Sequence, residues 1–259
     1  KRCLSDTDVQ TMDGLLAAAQ AQGKKVTMDW TSGWYLYAFF GNTGMDFGVN
    51  DDGVTNHCDW NTTEGSIKGV DVEAALLSIA SNPAFLNCVD TDFVAGVQNG
   101  TVAAGVSGVW NAADIKQVWG DNYGAVKLPT YTCAGQQVQM SSFTGYKMMG
   151  VNAYSEHKEW ALKLADWFTN EQNQMLRLQE RDQGPSNINA AASDQVKNVP
   201  AIQAVMVQAQ YGKLQRVGNS YWDAMSAFGE QMATGSVNGA DPQEIMDTLV
   251  DGITQSTAK

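Results

Sequence analysis

The chain has 259 residues, of which 44% are apolar, a composition typical of a globular protein with one large domain or two lobes. Its 16 basic and 28 acidic side chains give a net charge of -12, which repels phosphate backbones and anionic lipid headgroups and argues against nucleic acid or bare membrane as a partner. No window reaches the roughly eighteen apolar residues of a membrane-spanning helix. The opening residues "KRCLSDTD" lack the apolar stretch of a signal peptide, so we expect any export signal to lie outside this sequence.

The first half of the chain alternates between helical and strand patterns. Ser5, Asp6 and Thr7 are candidate caps for the first helix, and the aromatic-rich turn 31–44 leads into a short helix. We predict the following elements: helices at 7–22, 71–80 and 91–99, strands at 24–30 and 102–109, and a loop at 45–69. Strands that alternate with helices favour an α/β fold.

The second half continues in the same way. We predict strands at 123–129 and 143–153, a crossing between lobes at 130–137, and helices at 156–168, 171–181, 200–211 and a stretch that ends near Gly235. The last helix has a clear beginning, because Asp241 can cap it, Pro242 follows in the first turn and Glu244 lies three residues after the cap. Trp160, Trp167 and Phe168 recur on one face of an amphipathic helix and are predicted to lie in the core.

The cysteines and histidines do not form a metal-binding motif. No CxxC pair occurs and His57 and His157 are the only histidines, so a zinc cage is disfavoured and we predict no metal and no cofactor. Cys58 and Cys88 both follow turn-like segments and are a candidate disulfide, with isolated thiols as the alternative.

No catalytic motif stands out. Neither histidine is paired with a nucleophile, and the glycine-rich phosphate-binding motifs are missing from the sequence. A pair of catalytic carboxylates like that of a glycosidase stays an alternative, since the two members of such a pair meet only in the folded protein.

Large aromatic side chains mark three predicted element ends. These ends carry Trp34 with Tyr35, Trp110, and Tyr221 with Trp222. An aromatic plane can pack on the apolar face of a sugar ring, while amides such as that of Asn111 bind the hydroxyls. Burial in the core is the alternative for each aromatic.

The order of several motifs resembles one family. "TDFVAGVQNGTVAAGVSGVWNAADI", "YGAVKLPTY" and "SSFTGYKMMGVNAYSEHKEWALKLADWFTNEQNQ", then "YWDAMSAF" and "DPQEIMDTLVDGI", follow the pattern of the extracellular solute-binding proteins of ABC sugar importers, in the maltose and maltodextrin-binding branch. The likeness covers essentially the whole chain.

The resemblance implies sugar-binding positions. Trp110 falls on the tryptophan of the family's G-x-W motif and Trp222 on the aromatic of the late helix start. Trp34, with Tyr35, falls near the family's aromatic loop, although "TSGWYLY" departs from the Glu-Pro-Tyr pattern, which leaves Asp29 and Asp59 as weaker stand-ins for the acidic ligand. Arg216, just before Trp222, could bind sugar hydroxyls, and a solvated arginine is the alternative.

The resemblance also implies a periplasmic-binding-protein-like two-lobed α/β fold. In it, residues 1–142 plus 213–259 would form one complete lobe and residues 143–212 part of the second. Family members carry a further N-terminal segment of about a hundred residues, a small domain's worth. We expect this segment to belong to the same protein or to a separate polypeptide, and without it the strand at 143–153 would lack sheet neighbours.

The function implied is that of a receptor and not an enzyme. It would bind a linear oligosaccharide, most simply a maltooligosaccharide, between its lobes and deliver it to the permease subunits of an ABC transporter. The setting implied is bacterial and extracellular, either as a lipoprotein anchored at the cell surface or in the periplasm. A glycoside-active enzyme, a lectin-like carbohydrate-binding module and a purely structural piece are the alternatives.

Overall fold

The computed structural model describes residues 3–256. Its helices, in chain order, are α1 (Met12–Ala21), α2 (Gly33–Leu36), α3 (Gly69–Ala80), α4 (Asp90–Gln98), α5 (Ala112–Trp119), α6 (Lys158–Thr169), α7 (Glu171–Arg181), α8 (Ile188–Ala191), α9 (Asp194–Lys197), α10 (Pro200–Gln208), α11 (Ser220–Thr234) and α12 (Pro242–Thr254). Within the described range, none of these helices is both long enough and apolar enough to cross a membrane.

The strands are short. In chain order they are β1 (Lys25–Met28), β2 (Phe47–Val49), β3 (Asn56–Cys58), β4 (Phe85–Asn87), β5 (Val102–Gly105), β6 (Thr130–Cys133), β7 (Gln136–Gln139), β8 (Ser142–Thr144) and β9 (Gly212–Leu214). Strands β1, β4 and β5 form a parallel sheet in the order β4-β1-β5, while β2 pairs with β3 and β6 with β7 as antiparallel hairpins. Parallel strands joined through helices agree with the predicted α/β class.

The chain divides into two compact units. Among the described residues, unit 1 comprises 3–107, 128–144 and 208–256, and unit 2 comprises 108–127 and 145–207. The predicted first lobe, 1–142 plus 213–259, contains the segment 108–127, which the structure groups with unit 2. One contact that holds α5 in unit 2 is the ion pair between Lys116 and Asp182, 3.7 Å apart, at the end of α7.

The core of unit 1 is rich in aromatic rings. Trp30, Trp60, Tyr131 and Tyr221 are among its largest fully buried side chains. Their rings pack between the parallel sheet, the turn after α2 and helix α11. Because such a core is closely packed, it fixes the positions of the ends of these elements.

Helix starts follow their capping side chains. Helix α12 is confirmed, with the Asp241 carboxylate accepting the N–H of Gln243 at 2.8 Å and Pro242 in the first position. Helix α1 begins at Met12, five residues after the predicted start, because the Thr11 hydroxyl accepts the N–H of Gly14 at 3.0 Å.

Two segments predicted as a loop and a crossing contain hairpins. Strands β2 and β3 lie inside 45–69, and β6 and β7 occupy most of 130–139. The strand predicted at 123–129 is wrong, and there the N–H of Leu128 bonds to the Gln208 side chain at 3.0 Å instead of to a neighbouring strand.

The strand predicted at 143–153 ends early. It is paired only over Ser142–Thr144, parallel to β9. The residues that follow form no ladder with the described chain, and Tyr146 and Met148 are 81% and 86% exposed.

The core assignment of the aromatic residues on α6 is wrong. Trp160, Trp167 and Phe168 are 71%, 54% and 36% exposed, and α6 buries no residue. The amphipathic pattern is present, but among the described residues the apolar face of α6 stays largely exposed. Instead, the core of unit 2 forms around Leu178 and Ile202 with their neighbours.

The candidate disulfide is also wrong. Cys58 and Cys88 are free thiols in the structure. Burial raises the pKa of the Cys58 thiol to about 12, which keeps it protonated and unreactive near neutral pH.

Candidate functional site

The carboxyl edge of the parallel sheet gathers polar groups in unit 1. The backbone N–H of Trp30, after β1, donates to the Asn87 side chain at the end of β4 at 2.7 Å. The Asp90 carboxylate, at the start of α4, accepts from the Ser107 hydroxyl at 3.0 Å. Ligands commonly bind outside this edge of an open α/β sheet, so the aromatic residues next to it are candidates for a binding site.

Tyr35 does not offer its ring to a ligand. The side chain is 8% exposed and its hydroxyl donates to Asp90 at 3.1 Å. Burial, followed by the charge of Asp90, raises the pKa of this phenol well above its usual range. The predicted sugar contact through Tyr35 is therefore corrected to a core position that is tied to the sheet edge.

Tyr221 is likewise a core residue. It is 0% exposed, and its hydroxyl donates to the carbonyl of Gly33 at 2.7 Å. Burial raises its pKa well above the ordinary value. A ligand cannot reach this ring, so the prediction that Tyr221 binds sugar is wrong. The ring packs instead among the aromatic side chains of the core, such as Phe47.

Among the described tryptophans of unit 1, Trp34 and Trp222 are the partly exposed ones. Each sits beside one of the buried tyrosines, with ring centroids 5.0 Å apart in an edge-to-face arrangement for Trp34 with Tyr35 and for Trp222 with Tyr221. The hydrogen bond from Tyr221 to Gly33 joins the two segments. The structure therefore brings together two of the three predicted aromatic ends, the turn at α2 and the start of α11.

A cleft of about 290 Å³ opens beside Trp222. Its lining residues, all in unit 1, are Val49, Gly53, Gln215, Arg216, Val217 and Trp222. The volume is at the lower end of the roughly 300–1,000 Å³ of small-molecule sites. The indole-bearing Trp222, two valines, an amide and a guanidinium group border the cleft, so both apolar surface and hydrogen-bond donors are close by.

Sequence reasoning found Trp222 and Arg216 but missed the rest of this lining. Val49 and Gly53 lie on the β2–β3 hairpin, inside the segment predicted as a loop. The turn residues "NDDG" were a visible signal for the hairpin tip. Nothing in the sequence indicates that this tip lies against residues more than 160 positions later.

Trp110 and Asn111 belong to unit 2. They lie in the 3-10 turn Val109–Asn111 that precedes α5, and Trp110 is 47% exposed with its ring over Gly108. This exposure does not fit an ordinary core tryptophan. A common cleft for Trp110, Trp34 and Trp222 stays a prediction.

Asp29 and Asp59, the weaker candidates for an acidic sugar ligand, both accept hydrogen bonds from neighbouring groups of the protein. Asp29 accepts from the backbone and the hydroxyl of Thr31, at 3.0 and 2.6 Å, and Asp59 accepts the N–H of Asp46 at 2.6 Å. Within residues 3–256, no group of three or more His, Cys, Asp or Glu side chains is placed to hold a metal ion.

Comparison with known proteins gives the family. The model of the family described as bacterial extracellular solute-binding protein matches residues 1–204. The galactooligosaccharide-binding protein of Bacillus subtilis (strain 168) is 29% identical over 222 residues, which is 82% of this chain and 50% of that protein. The chain therefore spans half the length of that curated relative.

Solved structures show the same fold. The maltodextrin-binding protein MalE1 from L. casei BL23, without ligand, matches with a TM-score of 0.77 and 24% identity over 98% of this chain and 67% of that one. A structure with acarbose matches with a TM-score of 0.81 and 26% identity over 98% of this chain and 66% of that one. The periplasmic-binding-protein-like α/β fold is thus shown. Together with the family match, these comparisons establish that the chain belongs to the bacterial extracellular solute-binding proteins.

Proposed function

We propose that this chain is the ligand-binding portion of a non-enzymatic receptor that captures an oligosaccharide outside the cytoplasm and delivers it to an ABC importer. The observation that carries the proposal is the cleft of unit 1, in which Trp222 stands beside Gln215 and Arg216. A flat indole suits the apolar face of a sugar ring, and neighbouring amide and guanidinium groups suit its hydroxyls.

The preferred ligand is a maltooligosaccharide. The support is the likeness to a structure with acarbose, at 26% identity, and the resemblance of Trp110 and Trp222 to the family's sugar-stacking positions. Trp110 and Trp34 are assigned further stacking roles, and Asn111 a role in binding hydroxyls. Permease subunits of the transporter are the protein partners of this proposal, and the protein would be at the cell surface or in the periplasm.

A galactooligosaccharide is the second candidate ligand. It is favoured by the likeness to the galactooligosaccharide-binding protein of Bacillus subtilis. The two sugars differ in linkage and in the orientation of one hydroxyl, so both can stack on an indole and the hydrogen-bonding groups decide between them.

Calorimetric titration separates these possibilities. The protein is titrated with maltotetraose and, in parallel, with a β-linked galactotetraose of the same length. The proposal predicts saturable binding of maltotetraose at lower concentration than the galactose oligomer. The reverse order would transfer the specificity to galactooligosaccharides, and no binding of either would contradict the receptor function.

A second assay addresses the enzymatic alternative. The protein is incubated with maltotetraose at high concentration and the mixture is separated by chromatography. A receptor returns the sugar unchanged. Appearance of glucose, maltose or maltotriose, in proportion to protein and time, would favour a glycoside-active enzyme instead.

A further inference from the structure

The carboxylate of Asp90 lies where two segments of unit 1 meet the start of helix α4. Asp90 is the first residue of α4 and is half-buried. The Tyr35 hydroxyl donates to its Oδ2 atom at 3.1 Å and to its Oδ1 atom at 3.2 Å, and the Ser107 hydroxyl donates to Oδ1 at 3.0 Å. One carboxylate therefore ties the turn at α2 to the segment that follows β5.

The bond from Tyr35 to Asp90 is a strong one. Burial first, and then the charge of Asp90, raise the pKa of the Tyr35 phenol well above its usual range, so the hydroxyl keeps its proton and stays a donor near neutral pH. A hydrogen bond that a carboxylate accepts is stronger than one between neutral groups. The position also suits a carboxylate, because the first turn of a helix favours negative charge.

The ring of Tyr35 supports the indole of Trp34. Their centroids are 5.0 Å apart and their planes are at 90°, so the two rings meet edge to face. Tyr35 is 8% exposed, whereas Trp34 is partly exposed. Both residues lie in α2, a single turn of four residues, and so short a helix depends on tertiary contacts to keep its shape. A contact that holds Tyr35 therefore also holds the indole next to it.

We propose that Asp90 is a positioning residue of the sugar-binding site, which acts through Tyr35 to fix the plane of the Trp34 indole. Asp90 holds the Tyr35 hydroxyl, the Tyr35 ring supports the indole, and the indole stacks on the sugar. This inference rests on the proposed function and adds to it a residue whose effect on affinity depends on Trp34.

The physical reason is preorganisation. A side chain that is ordered only when the ligand binds lowers the affinity by the cost of its immobilisation, whereas a side chain that is already held in place does not. For one side chain this cost corresponds to about 2- to 10-fold in affinity. We therefore expect loss of the Asp90 carboxylate to weaken binding without the removal of any group that contacts the ligand.

A purely structural role of Asp90 predicts a different result. In that case Asp90→Ala lowers the melting temperature, because the buried Tyr35 hydroxyl loses its acceptor, but the affinity of the folded protein stays the same. Only the positioning role makes the loss of affinity depend on the presence of Trp34. A double-mutant cycle measures this dependence.

The experiment is a calorimetric titration of maltotetraose into the wild type, Asp90→Ala, Asp90→Asn, Tyr35→Phe and Trp34→Ala. Asp90→Ala and Tyr35→Phe are also each combined with Trp34→Ala and with one another. Asp92→Ala is the matched control, since it removes an exposed carboxylate from the same turn of α4. Thermal unfolding is recorded for every variant, and the titrations are made at a temperature where all of them are folded.

We expect Asp90→Ala and Tyr35→Phe each to weaken binding by about 2- to 10-fold, and their combination to cost no more than either alone. Asp90→Asn keeps an oxygen that can accept the Tyr35 hydroxyl and should recover part of the loss. In the Trp34→Ala background Asp90→Ala changes the affinity by less than about 2-fold. Asp92→Ala binds like the wild type. Should Asp90→Ala not fold, Tyr35→Phe, which keeps the ring, makes the same comparison.

The inference and the proposed function fail in different ways. Wild-type binding with unchanged affinity in Asp90→Ala and Tyr35→Phe overturns the positioning role. An equal loss from Asp90→Ala with and without Trp34 overturns it too, and so does a loss from Asp92→Ala as large as that from Asp90→Ala. No binding of maltotetraose by the wild type contradicts the proposed function, and the positioning role falls with it.

Discussion

The phenolic hydroxyl of Tyr221 donates a 2.7 Å hydrogen bond to the backbone carbonyl of Gly33. This bond joins the turn that carries Trp34 to the helix start that carries Trp222, across 188 positions of sequence. Gly33 has no room for a larger residue, because an added Cβ would lie 2.8 Å from the Cβ of Met225. This buried hydrogen bond therefore ties together the two segments that carry the partly exposed tryptophans of unit 1.

Removal of this hydroxyl should destabilise unit 1. In Tyr221→Phe the buried carbonyl of Gly33 loses the phenolic donor and keeps only the N–H of Tyr37, so we expect the free energy of unfolding to fall by about 1 kcal/mol. Chemical denaturation followed by circular dichroism measures the change. Tyr154→Phe is the control, since Tyr154 is 95% exposed, and a loss of equal size there would contradict the assigned role.

Trp222 should matter for binding more than for folding. In Trp222→Ala the stacking face of the cleft is lost, and we expect the affinity for maltotetraose to fall about 10-fold or more, that is by about 1.4 kcal/mol per factor of ten. Trp222→Phe keeps an aromatic plane and should recover part of this loss. Trp160→Ala on α6 is the control for loss of an exposed indole, and the account is contradicted if it weakens binding as much as Trp222→Ala.

Glu73 should make the stability of the protein depend on pH. This carboxyl group, on α3, is 2% exposed and its Oε2 atom has no hydrogen-bond partner among the described residues. Burial, and secondarily the charge of Asp241, raise its pKa from 4.5 to about 7. Its charged form is thus penalised in the folded state only, since the unfolded chain solvates it.

The direction in which stability changes with pH follows from the number of protons bound by the folded and the unfolded protein. Between about pH 4.5 and 7 the folded protein holds a proton on Glu73 that the unfolded chain has lost, so stability falls as the pH rises through this window. In Glu73→Gln this fall should disappear, with a gain of up to about 3 kcal/mol above pH 7. Urea unfolding at a series of pH values measures it, with the exposed Glu64→Gln as control; an unchanged slope in Glu73→Gln would refute the assignment.

The exposed apolar face of α6 should promote self-association of this chain in solution. Trp160 and Trp167 are 71% and 54% exposed, and exposed apolar patches promote association. We expect Trp160→Ser with Trp167→Ser to reduce self-association in sedimentation experiments and to change the free energy of unfolding by less than about 0.5 kcal/mol each.

A core substitution in the same unit gives the contrast. Leu178 is 0% exposed, so Leu178→Ala should cost about 2–5 kcal/mol through the lost packing and the cavity left behind. A comparable loss of stability in the double α6 variant would show that its aromatic face is packed after all.

Local signals in the sequence predicted local structure well. The cap and proline of α12 placed its first turn correctly. The predicted start of the helix at 171 is also confirmed, because the side chain of Asn170 caps α7 by accepting the N–H of Asn173 at 2.9 Å. These interactions join residues only two or three positions apart, so the sequence displays them directly.

The periodicity of the sequence could not predict contacts between residues far apart in the chain. The amphipathic pattern of α6 correctly predicts a helix, but it does not say whether a partner covers the apolar face. Tyr221 and Trp222 are adjacent at a helix start, yet one is fully buried and the other borders the cleft. The choice between them depends on Gly33 and on the aromatic core, which lie far away in sequence.

The most direct test is a calorimetric titration of the 259-residue protein with maltotetraose, carried out in parallel on the wild type and on Trp222→Ala. We expect saturable binding with one site per chain for the wild type and an affinity lower by about 10-fold or more for the variant. Equal affinity in the two proteins, or no saturable heat with the wild type, would contradict the claim that the cleft beside Trp222 is a sugar-binding site.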